Sequence, residues 1–557
     1  MDMIQNQQWL LSLGVFLPLV GVAVMLFIPK SDESTVKGVA VLTAAATLAV
    51  GIYTMIQFDW DKAGSLQFFT TNKWISPIKA TYTIGLDGIS LPLYVLSMII
   101  TLLVMIYSWD HVPSPGNPKA FFILMLVLQT GMAGTFVAQD LILFFVFFEV
   151  VLLPMYFMIG VWGGENRQYA SLKFFLYTMF GSALMLVSFI ALFVVTKNNA
   201  ADPDAANFSF QWFMANGAGV AKNTAIWIFA GMFIGFAVKV PMFPFHTWLP
   251  DAHTQAPTQG SVILAAILLK LGTYGFVRIA IPFLPQAAVK WAPVIAVLAV
   301  IGIIYGALGC LAQTDMKRLI AFSSVAHMGF VMLGISTLTT LGINAALFGM
   351  VAHGLITGML FFIAGSVKER YHTLEIKRLR GMLLQMPKMG WILGFSAMAS
   401  LGLPGLAGFW GEFPALLASW NPLNGAELPF GGLSLTLFRV LTVIAALGTV
   451  LAAAYLLWLY QRTAFGEPSV EFAGLGADGH ASHGHDAHGH GAADHGDEAE
   501  GHEAHGDHEP IHDVNKFEWV AWTPLLIAIV VFGIVPQLMF KVIDPGVTEL
   551  VKVFGGK

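Results

Sequence analysis

The chain has 557 residues, of which 57% are hydrophobic and only 11% are charged. Its mean hydropathy of +0.72 excludes a soluble protein of this size, because a soluble fold could not keep so much apolar surface from water. The composition predicts an integral membrane protein, for which the formal net charge of −5 is of little use. The short alternating segments of a membrane β-barrel are absent.

Apolar runs of about 20 residues, the length that crosses roughly 30 Å of hydrocarbon, recur along the whole chain. The first cation is Lys30, so the first run lacks the basic flank of a signal peptide and is expected to remain as a helix. The predicted fold is all-α, with about fourteen transmembrane helices. They are centred on residues 8–28, 35–57, 86–108, 118–137, 139–160, 171–195, 225–248, 258–282, 291–312, 317–337, 342–366, 389–419, 437–461 and 518–540.

The distribution of Lys and Arg between these spans predicts the orientation in the membrane. With the N-terminus outside, fifteen cations fall on the cytoplasmic side and ten fall outside. The basic cluster from Lys368 to Lys388 is the strongest single indication. Both termini are then predicted to be external.

Three regions follow from this pattern: a membrane domain at 1–462, a low-complexity cytoplasmic loop at 463–517, and a last transmembrane helix with the C-terminus at 518–557. The range 480–512 holds ten of the sixteen histidines. This composition is typical of a solvated, disordered loop, and a loose metal or proton buffer is the functional alternative. Residues 474–479 read GLGADG, but without a preceding strand and a following helix this pattern does not predict nucleotide binding.

Four ionisable residues lie well inside predicted spans: Glu149, Lys239, Lys270 and Glu412. A charge at the centre of a membrane helix costs at least about 2.5–3.5 kcal/mol, so such groups usually pair or line a hydrated cavity. Burial and a nearby opposite charge shift the pKa of an ionisable group in opposite directions. A group placed between these two effects is suited to taking up and releasing protons. A static ion pair is the structural alternative. The single cysteine, Cys310, excludes disulfides, iron–sulfur ligation and Cys-based zinc sites within this chain.

Prolines interrupt two of the spans beside these ionisable residues. Pro241 and Pro244 follow Lys239, and the stretch LGLPGLAG at 401–408 precedes Glu412. Proline removes helix hydrogen bonds, and the broken helices of transporters present polar backbone to a water-filled cavity. Both spans are therefore predicted to be discontinuous helices.

The two interrupted spans are predicted to be counterparts in an internal inverted repeat. Ninety residues separate Glu149 from Lys239, and 85 separate His327 from Glu412. His327 and His353 also lie within apolar spans, where a neutral imidazole can both donate and accept a proton near pH 7. A satisfied packing role is the alternative for each histidine.

Several motifs resemble the antiporter-like subunits of respiratory complex I. Residues 148–156 read FEVVLLPMY, followed by WGG at 162–164, and residues 239–253 read KVPMFPFHTWLPDAH. Within 315–329 the chain has DMKR and SSVAHMG. The stretch FWGEF at 409–413 is similar to the M type of bacterial NADH:quinone oxidoreductase subunit, since the L and N types are expected to have lysine in place of Glu412. The resemblance extends over about 80–460.

The resemblance implies a role in proton transfer for most of the selected residues. Glu149 and Lys239 are implied as the input pair, Lys270 as the central relay, His327 as the link and Glu412 as the exit-side acid. His246 and His253 match family histidines near the cytoplasmic end of the broken helix, and His353 is selected as a site residue from its place in an apolar span.

The resemblance also implies the setting in which the chain works. The implied location is the bacterial inner membrane, with the lipid bilayer and other complex I membrane subunits as partners, especially the L and N types, and no nucleic acid. No cofactor is expected in this chain, whereas NADH, FMN, iron–sulfur clusters and quinone are expected in partner subunits. The alternatives are a subunit of a multisubunit Na⁺/H⁺ antiporter and an inert structural scaffold.

Overall fold

The computed structural model describes residues 7–425, 427–473 and 511–555. Within these ranges the chain is mostly helical, as its composition predicts. The GLGADG stretch and the histidines of the low-complexity loop before His512 lie outside the described residues.

The helices are numbered here in chain order. They are α1 (Trp9–Phe27), α2 (Glu33–Gln57), α3 (Leu91–Tyr107), α4 (Pro118–Val137), α5 (Leu141–Val150), α6 (Leu152–Trp162), α7 (Arg167–Asn199), α8 (Phe210–Asn216), α9 (Lys222–Lys239), α10 (Trp248–Gln255), α11 (Thr258–Ile263), α12 (Leu269–Gly275), α13 (Ile281–Phe283), α14 (Pro285–Leu311), α15 (Met316–Ser336), α16 (Thr340–Tyr371), α17 (Met382–Gln385), α18 (Pro387–Ser400), α19 (Ala407–Trp420), α20 (Leu435–Ala464), α21 (Lys516–Ile534) and α22 (Gln537–Val551).

Eleven helical segments of the described chain are long and apolar enough to cross a membrane. Two of them combine several helices, α5 with α6 as Leu141–Trp162, and α11 to α13 as Thr258–Phe283. The other predicted spans are shorter or interrupted, because α3 has 17 residues and the pairs α9–α10 and α18–α19 are broken. The fold is thus that of a multi-pass helical membrane protein.

A two-stranded antiparallel sheet departs from the all-α prediction. Strand β1 (Gln67–Ile75) pairs with β2 (Ala80–Leu86) in the stretch between the second and third predicted spans. The paired positions Thr71 and Thr83 hydrogen-bond through their hydroxyls at 2.8 Å. The segment is rich in Thr, Phe, Tyr and Ile, the residue types that favour strands, so its sequence did contain the signal.

Both predicted helix breaks are present. Helix α9 ends at Lys239, and α10 begins only at Trp248 after the segment that contains Pro241 and Pro244. Helix α18 ends at Ser400, and α19 begins at Ala407. Proline lacks the amide hydrogen that would continue each helix, so both breaks occur where the sequence requires them.

The described residues on either side of the low-complexity segment are fastened to the helical core. After it, the buried Arg370 of α16 binds both carboxylate oxygens of Glu518, at 2.9 and 2.7 Å, and donates to the backbone carbonyl of His512 at 2.7 Å. Before it, Gln385 of α17 donates to the backbone carbonyl of Phe472 at 2.6 Å. The helical bundle therefore fixes both ends of the segment.

Candidate functional site

Two contacts in the bundle interior connect four of the predicted relay residues in pairs. The Nζ of Lys270 on α12 lies 2.7 Å from Nδ1 of His353 on α16. The Nδ1 of His327 on α15 lies 2.6 Å from Oε1 of Glu412 on α19. The two imidazole centroids are 6.0 Å apart. All four side chains are buried, so these contacts form one line of groups that can exchange protons inside the bundle.

A small cavity lies beside the histidines where this line is interrupted. His327, His353, Thr357, Ser400 and Glu412 contribute its polar lining, and its volume is about 30 Å³. A buried water needs roughly 10–15 Å³ of such space and two to four polar partners. The cavity therefore has room for a water beside both imidazoles.

Two hydroxyl groups that the sequence interpretation did not select hold the second nitrogen of His327. Ser400 Oγ lies 3.1 Å from Nε2, and Tyr455 OH lies 3.2 Å from it. Ser400 is the last residue of α18 before the break, and Tyr455 belongs to α20. Because both ring nitrogens have oxygen partners, the imidazole can take a proton at one nitrogen and give one up at the other.

The backbone around Lys270 is irregular in a way that provides a ligand for the buried amine. Five-residue π-helical turns precede and follow α12, at Leu264–Leu268 and Phe276–Ala280. The Lys270 ammonium donates to the carbonyl of Ala265, which lies in the first of these turns. A π-turn shifts the regular pattern of backbone hydrogen bonds and frequently marks functional positions in helices. No sequence pattern predicted these turns.

Glycine lets α19 pack closely against α16 beside the contact between Glu412 and His327. A Cβ atom on Gly411 would lie only 2.5 Å from the Cα of Gly349. Gly402, in the break before α19, has φ +78° and lies against Glu412, since a Cβ there would be 3.2 Å from Oε2. A side chain at either glycine would push the carboxylate away from the imidazole.

Glu149 on α5 and Lys239 at the end of α9 interact electrostatically without a direct ion pair. No ion pair within 4.0 Å joins these two described residues, and both Glu149 Oε1 and Lys239 Nζ lack a hydrogen-bond partner. The ammonium instead lies 4.7 Å from the ring centroid of Phe148. Two opposite charges in a dry region still attract over longer distances, because the effective dielectric constant is low there.

His246 lies within the break between α9 and α10, and His253 lies in α10. His246 stacks on Phe243 and meets Tyr305 edge to face. His253 stacks on Phe361 with the ring centroids 4.4 Å apart, and neither of its ring nitrogens has a hydrogen-bond partner. Unsatisfied buried imidazoles are costly in an apolar interior, so this region suits transient water better than permanent packing.

The sequence interpretation missed a buried ion pair near the end of the segment that contains Lys270. Arg278 lies in the second π-turn and contacts the fully buried carboxylate of Asp87 at 2.7 Å. The carboxylate also accepts from the backbone amides of Ile89 and Ser90 at 3.1 Å. An arginine within a predicted span was the available signal. Because the carboxylate is held by this many hydrogen bonds, the pair is interpreted as a structural anchor.

The family described as NADH:quinone oxidoreductase/Mrp antiporter matches residues 138–430, more than half of the chain. The chain belongs to this family. A second family description, NADH-ubiquinone oxidoreductase chain 4, amino terminus, matches residues 13–135.

Several relatives align with almost the whole length of this chain. NADH-quinone oxidoreductase subunit M of Rickettsia conorii is 37% identical over 98% of this chain and 99% of its own length. A chain of respiratory complex I from Thermus thermophilus aligns with a TM-score of 0.78 at 26% identity, covering 98% of this chain and 100% of the other. A chain of the Mrp complex from Dietzia sp. aligns with a TM-score of 0.80 at 19% identity, over 99% and 100% of the chains.

The structural similarity and the sequence identity give different information about the position of the chain within its family. The two structural matches have nearly equal TM-scores, so the fold alone does not distinguish a complex I subunit from an Mrp subunit. Sequence identity does, because full-length relatives at 37% identity are named subunit M.

Proposed function

We propose that this family member is the proton-translocating M-type membrane subunit of a bacterial NADH:quinone oxidoreductase. It moves protons through buried Glu, Lys and His side chains in response to quinone reduction in other subunits. The electron-transfer cofactors, NADH, FMN and iron–sulfur clusters, reside in those partners. The observation that carries the proposal is the line from Lys270 through His353 and His327 to Glu412.

The proposed sequence of transfers follows the contacts. Lys270 in its ammonium form gives a proton to His353 across 2.7 Å. His353 then passes the proton to His327 through one bridging water in the cavity. The centroids of the two imidazole rings are 6.0 Å apart. His327 then gives it to the Glu412 carboxylate at 2.6 Å, from which it leaves the membrane.

Glu149 and Lys239 are proposed to control the loading of this line. Helix α12 approaches α9 next to Lys239, since a Cβ on Gly272 would lie 3.0 Å from the Lys239 Cβ. Through this close approach, the charges of Lys239 and Glu149 are proposed to act on the Lys270 end of the line. A change in the separation of Glu149 and Lys239 would then shift protons along the line. His246 and His253 provide access from the break.

The topology and surroundings are part of the same proposal. Together with the eleven segments above, α3 and the broken pairs α9–α10 and α18–α19 would make fourteen crossings, arranged as an inverted repeat around the two breaks. Both termini face outward, on the basis of the Lys and Arg distribution. The L-type and N-type antiporter-like subunits are the proposed membrane neighbours.

The substitution Glu412→Gln tests the proposal. It keeps the shape of the side chain and a hydrogen-bond acceptor for His327 but removes the group that accepts the proton. In the assembled complex, we expect proton-gradient formation in vesicles to fall to less than about a tenth of wild type, since a positioned acid or base contributes roughly 10²–10⁴-fold. Glu467→Gln, at an exposed acid, is the matched control. Wild-type pumping by assembled Glu412→Gln would contradict the proposal.

A Na⁺/H⁺ antiporter subunit remains the second candidate because of the fold similarity to the Mrp complex. Purification of the chain with its native partners discriminates between the two. Flavin and iron–sulfur absorbance in the purified assembly is expected for the complex I assignment. An assembly without them that exchanges Na⁺ for protons would support the antiporter assignment instead.

A further inference from the structure

An apolar groove on the membrane-facing surface runs between α18 and α21, and none of its lining residues belongs to the relay cavity. Seven large side chains line it: Trp391, Ile392, Phe395, Leu526, Ile527, Val530 and Val531. It is open along one side and has a volume of about 440 Å³. Trp391 is 69% exposed and Ile527 is 58% exposed, so other described residues leave the groove uncovered.

A lysine lies at the same end of each groove-forming helix. Lys388 is in the first turn of α18, and Lys516 is the first residue of α21. Lys388 precedes Trp391, Ile392 and Phe395 by three, four and seven residues, the spacing of one helix face. Lys516 precedes Leu526, Ile527, Val530 and Val531 by 10, 11, 14 and 15 residues, which again places it on the groove face.

The two lysines lie near each other and are unpaired among the described residues. The carboxylate of Asp513 accepts hydrogen bonds from the backbone amides of Lys388 and Met389, at 2.9 and 3.1 Å, and Asp513 is only three residues before Lys516. The amino groups of both lysines are exposed and form no hydrogen bond or ion pair with described residues. The nearby Glu518 is buried and already bound to Arg370. Among the described residues, the two positive charges at the head of the groove therefore have no ion-pair partner.

The dimensions of the groove suit one leaflet of a bilayer. At 1.5 Å rise per residue, the groove wall on α21 lies about 15–22 Å along the helix from Lys516. The acyl chains of one leaflet fill about half of the roughly 30 Å hydrocarbon layer. Trp391 and Trp519 lie within the first turns below the lysines and are partly exposed, as is usual for tryptophan at the membrane interface.

The walls of the groove favour a lipid chain over a helix of another protein. Helix partners in membranes approach closely where Gly, Ala, Ser or Thr form the interface. All seven lining residues here are large, so a helix backbone could not enter, whereas a flexible acyl chain can follow the surface. We propose that this groove is a specific site for an anionic phospholipid, whose acyl chain occupies the groove and whose phosphate binds Lys388 and Lys516.

A photo-crosslinking amino acid at Ile527 tests the proposal in the assembled complex. In vesicles that contain equal phosphatidylglycerol and phosphatidylcholine, mass spectrometry of the crosslinked chain identifies the neighbour. We expect mainly phosphatidylglycerol adducts. The same crosslinker at Val443, which is 56% exposed on α20, is the control position and should give adducts in proportion to the vesicle composition.

Charge substitutions at the head of the groove complete the test. Each of Lys388→Gln and Lys516→Gln should lower the preference for phosphatidylglycerol about fivefold, and both together roughly 25-fold. The arginine variants of both positions should retain it. Lys290→Gln and Lys541→Gln, at exposed lysines elsewhere, should leave it unchanged.

Three results would overturn the proposal. They are a polypeptide adduct at position 527, a lipid preference there equal to that at 443, and a preference unaffected by the two lysine substitutions. Neither lysine belongs to the relay. Failure of the lipid proposal would therefore leave the proposed proton-transfer function untouched, and failure of the proton-transfer function would leave the lipid site untouched.

Discussion

His353 is the only titratable contact of the Lys270 ammonium among the described residues, so its replacement is the most informative perturbation of the relay. We predict that His353→Gln breaks proton transfer while the complex still assembles. The Gln side-chain oxygen can take over the hydrogen bond from Lys270, which avoids the roughly 1–3 kcal/mol cost of an unsatisfied buried donor. An amide cannot be protonated at neutral pH, so the relay function is lost.

The expected size of the effect follows from the geometry. Without the imidazole of His353, no titratable side chain among the described residues hydrogen-bonds to the Lys270 ammonium. The His327 ring, which lies 6.0 Å from the His353 ring, is the next group of the line. Loss of one positioned acid or base typically slows proton transfer by about 10²–10⁴-fold, equivalent to roughly 3–5 kcal/mol in barrier height. Because quinone reduction is coupled to pumping, we expect both rates to fall at least about tenfold.

The assay compares NADH-driven quinone reduction and dye-reported proton-gradient formation in vesicles that contain equal amounts of assembled complex. His372→Gln is the matched control, because His372 ends the same helix and is exposed. His353→Leu should lower both the rates and the yield of assembled complex, since it also removes the hydrogen-bond acceptor. Wild-type rates in assembled His353→Gln would refute the relay reasoning.

Three further predictions concern the loading site, the orientation and the packing. Glu149→Gln and Lys239→Ala should each impair quinone reduction and pumping, and the double variant should be no worse than the poorer single one, because the residues act as a unit; additive losses would argue against this. A reporter fused near Lys377 should behave as cytoplasmic, and external activity would invert the proposed orientation. Gly411→Val should destabilise the protein by about 1–3 kcal/mol through overpacking against α16, measured as thermal stability beside Gly219→Ala, where a Cβ meets open space.

The helix breaks and the buried ionisable residues were predictable from the sequence because each depends on local chemistry. Pro241 and Pro244 end α9 wherever the helix lies, and a charge within an apolar run needs a partner whatever that partner is. The sequence could therefore select Lys270 and Glu412 without locating their neighbours. The family motifs then supplied the order in which such residues act.

The partners themselves were not predictable, because they come from segments far apart in the chain. Tyr455 approaches His327 from 128 residues away, and nothing near Tyr455 distinguishes it from other tyrosines in apolar helices. The spacing of Glu149 and Lys239 likewise did not predict that the Lys239 ammonium lies over the Phe148 ring, 4.7 Å from its centroid.

The hydrogen bonds that hold the residues on either side of the low-complexity segment have a consequence for how this sequence can change in evolution. Arg370 and Gln385 hold the two ends in place, so lengthening the intervening sequence does not disturb the helices that carry the relay. The entropic cost of joining two fixed ends of a chain grows only logarithmically with the number of residues between them, by about 0.6 kcal/mol for each doubling. Insertions between these two anchors are thus nearly neutral for stability, which makes the position a permissive one for acquiring new sequence, including histidine-rich sequence.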